Sequence, residues 1–247
     1  MVEPETGLTT AVAVTKAAGP GNSDASVGAV LIAADPTIDE AARTEVLGDS
    51  AYGTGAMLHV LDAAGYEPVI KPLPVKPAVP GGFTIDDFAH DPAARTLTCP
   101  AGVTLTVTAH GRATFKSACR SCPVRDSCTT SHAGRVVLLH EHDLLQRAHR
   151  ARAQDDQFQD TYRTLRPMVE RTLAWLTRGN RRVPYRGIVN NDAFHHRAAA
   201  VNLKRLLTLG LTSQEGTWAL VSHPDRPPHP LAAPPPSTIL VSRVVSS

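Results

Sequence analysis

Residues 46–53 read Val-Leu-Gly-Asp-Ser-Ala-Tyr-Gly, a short apolar run that ends in an acidic residue. The apolar part, which begins at Glu45, has the character of a short buried strand. Ligands of α/β proteins bind outside the carboxyl ends of such strands, so the residue that follows the strand is a candidate for chemistry. Asp49 is therefore the first candidate functional carboxylate.

Strand and helix patterns alternate on both sides of this stretch. Before it, Leu8–Val14 predicts a strand and residues 27–34 predict a helix. After it, residues 57–64 have apolar side chains at helical spacing that stops at Gly65, and Glu67–Ile70 predicts another strand. The first 70 residues therefore indicate an α/β layer.

Proline-rich stretches divide the chain. Four prolines and two glycines between Lys71 and Gly82 exclude a regular helix or a central strand there. The predicted organisation has four parts: a first part of the core (1–72), a proline-rich boundary with a small cysteine-containing β-rich insert (73–142), a helical remainder of the core (143–212) and a disordered proline-rich tail (213–247).

The helical remainder predicts four helical stretches. Apolar spacing indicates helices over residues 143–153 and 158–165, after which Pro167 is expected to interrupt the pattern and to start a new helix. A last helix is expected from Asn191 to Gly210.

The charges separate along the chain. Residues 1–70 hold ten acidic and two basic residues, whereas residues 162–206 hold ten basic and two acidic ones, so the two segments carry −8 and +8. Arginine-rich segments suit a polyanion such as DNA, because guanidinium groups bind phosphate oxygens bidentately. The alternative is an ordinary solvated helix face.

Membrane and secreted classes are excluded by the apolar pattern. The longest uncharged apolar runs, such as residues 27–34, are far shorter than the roughly 20 residues that cross a bilayer. The acidic start at residues 1–5 lacks the basic and apolar regions of a secretory signal. A cytoplasmic protein without a membrane partner is expected.

Four cysteines fall within the insert, at Cys99, Cys119, Cys122 and Cys128. Four thiolates in a turn-rich segment can form the tetrahedral sulfur site that Zn2+ prefers, and Cys119-x-x-Cys122 has the tight spacing of a zinc knuckle. An iron–sulfur cluster and reduced cysteines without a metal are the alternatives, and a cytoplasmic location disfavours disulfides.

Glu170 is the second candidate carboxylate, and it lies within the arginine-rich segment. On spacing alone, neighbouring arginines such as Arg166 and Arg171 indicate surface salt bridges of a helix. Histidines at positions 140, 142, 149, 195 and 196 are interpreted as structural or solvent-facing, and Trp175 as a packing residue rather than a base-stacking one.

Residues 46–53 together with Arg166-Pro167-Met168-Val169-Glu170-Arg171 resemble the second and third catalytic segments of DDE-type transposases from bacterial insertion sequences. The resemblance covers about residues 3–212. It includes Glu3-Pro4-Glu5-Thr6-Gly7-Leu8, the cysteine insert, and Arg181-Arg182-Val183-Pro184-Tyr185-Arg186-Gly187.

The resemblance implies an RNase H-like α/β fold, in which helices flank a mixed sheet and the insert precedes the helix that bears the glutamate. Asp49 and Glu170 carry over as ligands of Mg2+ or Mn2+ in two-metal cleavage and joining of DNA. The implied partners are double-stranded DNA of transposon ends, and possible self-association or association with a full-length transposase; the implied location is the bacterial nucleoid. The arginines expected to contact DNA are Arg163, Arg166, Arg171, Arg178, Arg181, Arg182 and Arg186.

This sequence departs from the family pattern at three points. Tyr162 lies one position early, and Thr177 occupies the position of the family's lysine. The family's first aspartate precedes the segment at which this chain begins. The expectation is therefore the C-terminal part of a transposase, with an N-terminally truncated core that is inactive alone. The alternatives are a non-catalytic DNA-binding remnant, or a pseudogene product without a role.

Overall fold

A computed structural model of the chain describes residues 1–16, 18–35, 44–177, 193–221, 238–240 and 245–246. The chain divides into two units: unit 1 comprises residues 1–72 and 149–247, and unit 2 comprises residues 73–148. Unit 1 is thus discontinuous in sequence, whereas unit 2 is a single continuous segment.

The first segment of unit 1 alternates strands and helices. Its elements are β1 (Thr15–Lys16), α1 (Asp24–Ala34), β2 (Glu45–Gly48), α2 (Gly55–Ala63) and β3 (Glu67–Ile70). The Ser23 side chain caps α1 by accepting the N–H of Ser26, and Gly65 follows α2 in the left-handed region with φ +73°. These local signals explain why the two helices and the strands β2 and β3 form where the sequence predicts them.

The strand expected over Leu8–Val14 does not form, so that prediction is wrong. Only an isolated bridge joins Val2 to Thr9, and β1 is restricted to Thr15–Lys16. The backbone N–H and C=O of Thr9 bond instead to the side-chain amide of Asn202, at 2.8 and 2.7 Å. A side chain therefore satisfies backbone groups that a neighbouring strand would otherwise occupy.

Unit 2 consists of short elements. They are β4 (Ala89–Asp91), β5 (Thr96–Thr98), β6 (Thr104–Thr106), β7 (Arg112–Thr114), α3 (Arg125–Cys128), β8 (Val136–Leu138) and the start of α4 (Asp143–Arg152). Strands β4, β5 and β6 form one antiparallel sheet and β7 pairs with β8. Phe88, Leu97 and Phe115 are completely buried in the apolar cluster of this unit.

The second segment of unit 1 contains long helices followed by short strands. They are α5 (Asp156–Thr177), α6 (Ala193–Leu209), β9 (Leu211–Gln214), β10 (Thr217–Leu220), β11 (Thr238–Leu240) and β12 (Val245–Ser246). The predicted α6 ends as expected before Gly210, whereas its expected start at Asn191 lies outside the described residues. The tail expected to be disordered from residue 213 contains the antiparallel β9–β10 hairpin.

Pro167 does not interrupt the helical pattern, contrary to the prediction. It lies inside α5, which continues from Asp156 to Thr177. Proline removes one backbone donor from the helix, but Leu165 and Val169, on either side of it, are buried in one apolar cluster. Their packing offsets the cost of the proline.

The sheet of unit 1 has the strand order β11-β2-β3, and both pairings are parallel rather than mixed. Successive residues of a strand face opposite sides of a sheet. Val46 accordingly packs in a cluster with Ile32 of α1 and Leu61 of α2, whereas Leu47 packs in another cluster with Val169 of α5. Helices therefore cover both faces of a parallel sheet, as in other α/β folds.

None of the helices in the described ranges is both long and apolar enough to cross a membrane.

Candidate functional site

Asp49 lies directly after β2, at the carboxyl end of the parallel sheet. Its backbone is extended, and its side chain caps the short 3-10 turn Ser50–Tyr52, with Oδ1 accepting the N–H of Ala51 at 2.9 Å. This contact orients the carboxylate and uses one of its two oxygens. The other oxygen, Oδ2, remains suitable for a ligand.

Glu170 lies in the middle of α5, where 48% of its side chain is exposed. Its Oε1 atom forms an ion pair with the Arg166 guanidinium at 2.7 Å, one helical turn earlier. The expectation of an i,i+4 ion pair between these residues agrees with this contact. Such a pair does not preclude a functional role, because arginine can reorient when a phosphate or a metal ion approaches.

Tyr162 joins this pair from the preceding turn of α5. Its hydroxyl accepts a hydrogen bond from Arg166, whose guanidinium carbon lies 5.2 Å from the centre of the tyrosine ring. The Tyr162 ring stacks on Phe158 with a centroid distance of 6.5 Å. The three residues 162, 166 and 170 thus form a continuous polar row along one side of α5.

Asp49 lies close to Tyr162 in this row. Burial raises the pKa of the Tyr162 hydroxyl; the charge of Arg166 and its hydrogen bond oppose the rise, and the negative charges of Asp49 and Glu170 add to it. Both carboxylates are therefore neighbours of one phenol, although 121 positions of sequence separate them. We call Asp49, Tyr162, Arg166 and Glu170 the acidic cluster.

The segment Glu3–Leu8 packs beside the glutamate helix. The Thr172 hydroxyl donates to the Gly7 carbonyl at 3.1 Å, and Arg205 of α6 donates to the carbonyl of Thr6. Gly7 has φ +73°, and a Cβ atom there would lie 2.9 Å from the sulfur of Met168. The positive φ therefore favours glycine at this position, and a Cβ atom there would also displace the Met168 side chain.

The predicted DNA-contacting arginines have different surroundings. Arg163 is 73% exposed and pairs with Asp160 at 2.9 Å, Arg166 belongs to the acidic cluster, and Arg171 is exposed. The other four, Arg178, Arg181, Arg182 and Arg186, lie outside the described residues.

His149 and Trp175 have different surroundings. His149 is 6% exposed, its Nε2 atom lies 2.7 Å from the Ile70 carbonyl oxygen, and burial lowers its pKa, so it is the structural histidine of the two alternatives given by the sequence. Trp175 is 42% exposed rather than packed in a core, and the Lys204 ammonium lies 5.9 Å from the centre of its ring.

The four cysteines of unit 2 line one small cavity of about 20 Å3. Cys119 and Cys128 are buried, Cys99 and Cys122 are half-buried, and all four are free thiols. Burial raises the pKa of the Cys128 thiol, the Arg135 charge lowers it, and the other three cysteines raise it further. The thiols are therefore neighbours, although no three His, Cys, Asp or Glu side chains within the described ranges are already gathered in a metal-binding arrangement.

Comparison with known proteins supports the resemblance seen in the sequence. Residues 98–207 match the family model described as transposase DDE domain, a segment that contains Glu170 and all four cysteines. The match covers less than half of the chain, and it supports the interpretation of the chain as a fragment of a DDE-type transposase. No curated protein and no solved structure matched the chain.

The match supports a transposase-type function, and a transposase domain implies DNA as a substrate in general. DDE transposase domains in general use divalent metal ions. The chemistry of the acidic cluster fits such an ion, because Mg2+ is commonly bound by one or two carboxylates together with water and substrate phosphates. Asp49 lies before the matched segment, so its inclusion rests on its proximity to Tyr162.

Proposed function

We propose that the protein takes part in the transposition of a bacterial insertion sequence, and that the acidic cluster binds a divalent metal ion and a DNA phosphate. The observations that support this most directly are the position of Asp49 at the end of β2 and the ion pair of Glu170 with Arg166 beside Tyr162. A carboxylate at the carboxyl end of a parallel sheet, with a second one on a helix that packs against the sheet, agrees with the site expected of an RNase H-like core.

In this proposal, Asp49 and Glu170 are the ligands of Mg2+ or Mn2+. When bound, the metal would stabilise negative charge at the phosphodiester and lower the pKa of the attacking water or hydroxyl. Asp49 is held in position by the N–H of Ala51, so its second oxygen faces a ligand without further ordering of the side chain.

Arg166 has a separate role in binding DNA. Its guanidinium contacts Glu170 and the Tyr162 hydroxyl in the absence of DNA, which holds it beside the carboxylates. A phosphate entering the site would accept hydrogen bonds from the guanidinium, because arginine presents several donors in a fixed fork. Tyr162 would remain a neutral donor, since burial raises its pKa.

The exposed arginines Arg163 and Arg171 extend the same helix surface. We propose that they contact the DNA backbone together with Arg178, Arg181, Arg182 and Arg186 of the predicted basic segment. Contacts of this kind neutralise phosphates without reading bases, so affinity is expected to fall steeply as salt rises. Such an interaction would hold the protein on chromosomal DNA in the cytoplasm.

We further propose that this chain alone binds metal and DNA without cleaving DNA efficiently. Two carboxylates contribute to the acidic cluster within the described residues, whereas the chemistry implied by the family uses three acids. Association with a second copy or with a full-length transposase would then be needed for cleavage. The alternative, a DNA-binding protein without any catalytic site, differs in that it would not bind Mn2+ through Asp49 and Glu170.

The proposal can be tested with the full chain by two measurements. Mn2+ binding is followed by electron paramagnetic resonance, and DNA binding by fluorescence anisotropy of a labelled duplex; nicking of supercoiled plasmid in Mg2+ is measured in parallel. Asp49→Asn and Glu170→Gln should each lower Mn2+ affinity at least tenfold. Asp160→Asn is the matched control, because Asp160 is a 72% exposed acid on the same helix.

The outcomes separate the two readings of the molecule. Loss of Mn2+ binding in both variants, with the control unchanged, supports the acidic cluster. The non-catalytic alternative makes a different prediction. In that case the unmodified chain does not bind Mn2+, and both variants bind DNA as well as the unmodified chain does. Rapid nicking by the unmodified chain that Glu170→Gln abolishes would overturn the proposed inactivity while supporting the site.

A further inference from the structure

The cysteines of unit 2 come from four different local structures that converge. Cys99 follows β5 and begins a tight turn, in which its carbonyl accepts the N–H of Gly102 at 2.8 Å. Cys119 ends the 3-10 turn Ser117–Cys119, Cys122 lies in the turn after it, and Cys128 ends α3. Residues that are up to 29 positions apart thus line the same cavity of about 20 Å3.

The size and lining of this cavity suit a single ion. A volume of about 10–15 Å3 on this measure holds one water molecule, so the cavity has room for one body of that size. Its other walls include the apolar side chains of Phe88, Val103 and Phe115. Among the residues that line the cavity, the four cysteines supply the softest donor atoms, and Zn2+ is commonly bound by cysteine sulfur.

Backbone groups already support one of the sulfurs. The N–H of Arg135 donates to Cys119 Sγ at 3.4 Å, and the Arg135 side chain donates to the Cys128 carbonyl at 3.3 Å. N–H to sulfur bonds of this kind orient thiolate ligands from outside a metal site. Gly134 allows this approach, because a Cβ atom there would lie 3.0 Å from the Lys116 backbone.

The secondary-structure elements of unit 2 are short. Each of its five strands is three residues long, and α3 is four residues long. Short elements such as these form few backbone hydrogen bonds, and small units with such cores commonly depend on a metal or on disulfides. The cysteines form no disulfide in this structure.

We propose that Cys99, Cys119, Cys122 and Cys128 bind one structural Zn2+ ion that stabilises unit 2. Binding requires the four side chains to turn toward the centre of the cavity, since the sulfurs surround it without being in coordination geometry. The site is separate from the acidic cluster, and it holds the turns after β5, around residues 117–122 and after α3 together. The proposal is independent of DNA cleavage.

The experiment is metal analysis of the purified full chain together with its thermal unfolding. One Zn2+ per chain is expected, and Cys119→Ser or Cys128→Ser should reduce the zinc content at least fivefold and lower the unfolding temperature. Ser127→Ala, an exposed change beside Cys128, is the matched control and should retain the zinc. Replacement by Co2+ should give the absorption of a tetrahedral thiolate complex.

A measurement on the unmodified chain keeps the test decisive if the cysteine variants do not fold. Titration of its thiols with an organomercurial should release one Zn2+ per four thiols, detected with a zinc-sensitive dye. A folded chain with less than about one tenth of an equivalent of zinc and four reactive thiols would overturn the proposal. Iron with the absorption of an iron–sulfur cluster, or zinc that every cysteine variant retains, would also overturn it.

Discussion

The acidic cluster of unit 1 and the cysteine cavity of unit 2 differ in how they are built. Glu170 and Arg166 of the acidic cluster are 48% and 35% exposed, and side chains of opposite charge hold each other in place. Cys119 and Cys128 are 8% and 7% exposed in an apolar surrounding. The first group is open to solution, whereas the second is part of a core.

This difference separates binding from stability. Exposed ion pairs contribute little to folding, so substitutions in the acidic cluster are expected to affect ligand binding and leave the fold intact. Substitutions among the buried polar groups of unit 2 are expected to unfold that unit. The following predictions test this contrast.

The largest effect is expected at Asp143 in unit 2. Its carboxylate is 3% exposed, accepts from Arg147 Nε at 2.7 Å and lies 3.0 Å from His90 Nδ1. Asp143→Ala removes the nearer of the two carboxylates that pair with the half-buried Arg147 guanidinium, the other being Asp86 at 3.9 Å, and should cost about 3–5 kcal/mol of unfolding free energy. Denaturant unfolding measures the loss. Glu141→Ala removes a 76% exposed acid nearby as the control, and an equal loss in both variants would contradict the argument.

The next effect has the opposite sign and concerns α5. Pro167 is exposed within a continuous helix, so Pro167→Ala restores a backbone donor and removes a helix-breaking ring. We expect a gain of about 1–3 kcal/mol in stability, since proline is about 3 kcal/mol worse than alanine in a helix interior. Circular dichroism and denaturant unfolding provide the measurement. An unchanged midpoint would mean that the local structure compensates for the proline.

A pH dependence is expected from His149 in unit 1. Burial lowers the pKa of its imidazole, and the charges of Arg152 and Arg150 act in the same direction, while the hydrogen bond to Ile70 opposes them. The unfolded chain therefore binds the proton more readily than the folded one. Stability should be complete above the ordinary pKa of 6.5 and should fall as the pH decreases below it.

The control for this effect is a side chain that keeps the hydrogen bond to Ile70 but has no group that titrates in this pH range. His149→Gln can still donate to the Ile70 carbonyl from a position like that of Nε2, and it should flatten the stability profile between pH 7 and pH 5. Thermal unfolding across this range, with exposed His196→Gln as the comparison, measures the difference. Identical profiles for all three proteins would assign the pH dependence to other groups.

The smallest effect on stability is expected in the acidic cluster itself. Glu170→Gln removes an exposed i,i+4 ion pair and should cost no more than about 0.5 kcal/mol. It should also lower the pKa of the Tyr162 hydroxyl, because the charge of Glu170 contributes to its rise. Ultraviolet titration measures the phenolate, with Tyr162→Phe identifying its signal among the four tyrosines. A raised pKa would show that Glu170 does not act on Tyr162.

Local signals in the sequence were sufficient to predict much of unit 1. The Ser23 cap and Gly65 define helix ends within a few residues, and apolar runs define β2 and β3. Each of these signals acts through neighbouring backbone groups, so it does not depend on the rest of the chain.

Tertiary contacts explain why two predictions from the sequence are wrong. The continuity of α5 through Pro167 depends on the burial of Leu165 and Val169, and the absence of a strand over Leu8–Val14 depends on Asn202. Periodicity reports neither kind of contact.

The candidate site was predictable as residues but not as an arrangement. Asp49 follows from its position after a strand, and Glu170 from the resemblance to a family. The role of Tyr162 in joining them was not predicted, since it is one position away from the family pattern. Arg205 and Thr172, which hold the segment at residues 6–7, carry no motif that identifies them in advance.

The contact between Asn202 and Thr9 has a consequence for the order of events during synthesis. The two residues are 193 positions apart, so the contacts of Thr9 with α6 form only after α6 has left the ribosome. Unit 2 is continuous and can fold while translation of the rest proceeds, because domains generally fold as they emerge. We therefore expect the segment before Lys16 to remain accessible to proteases and chaperones on nascent chains that already contain a folded unit 2.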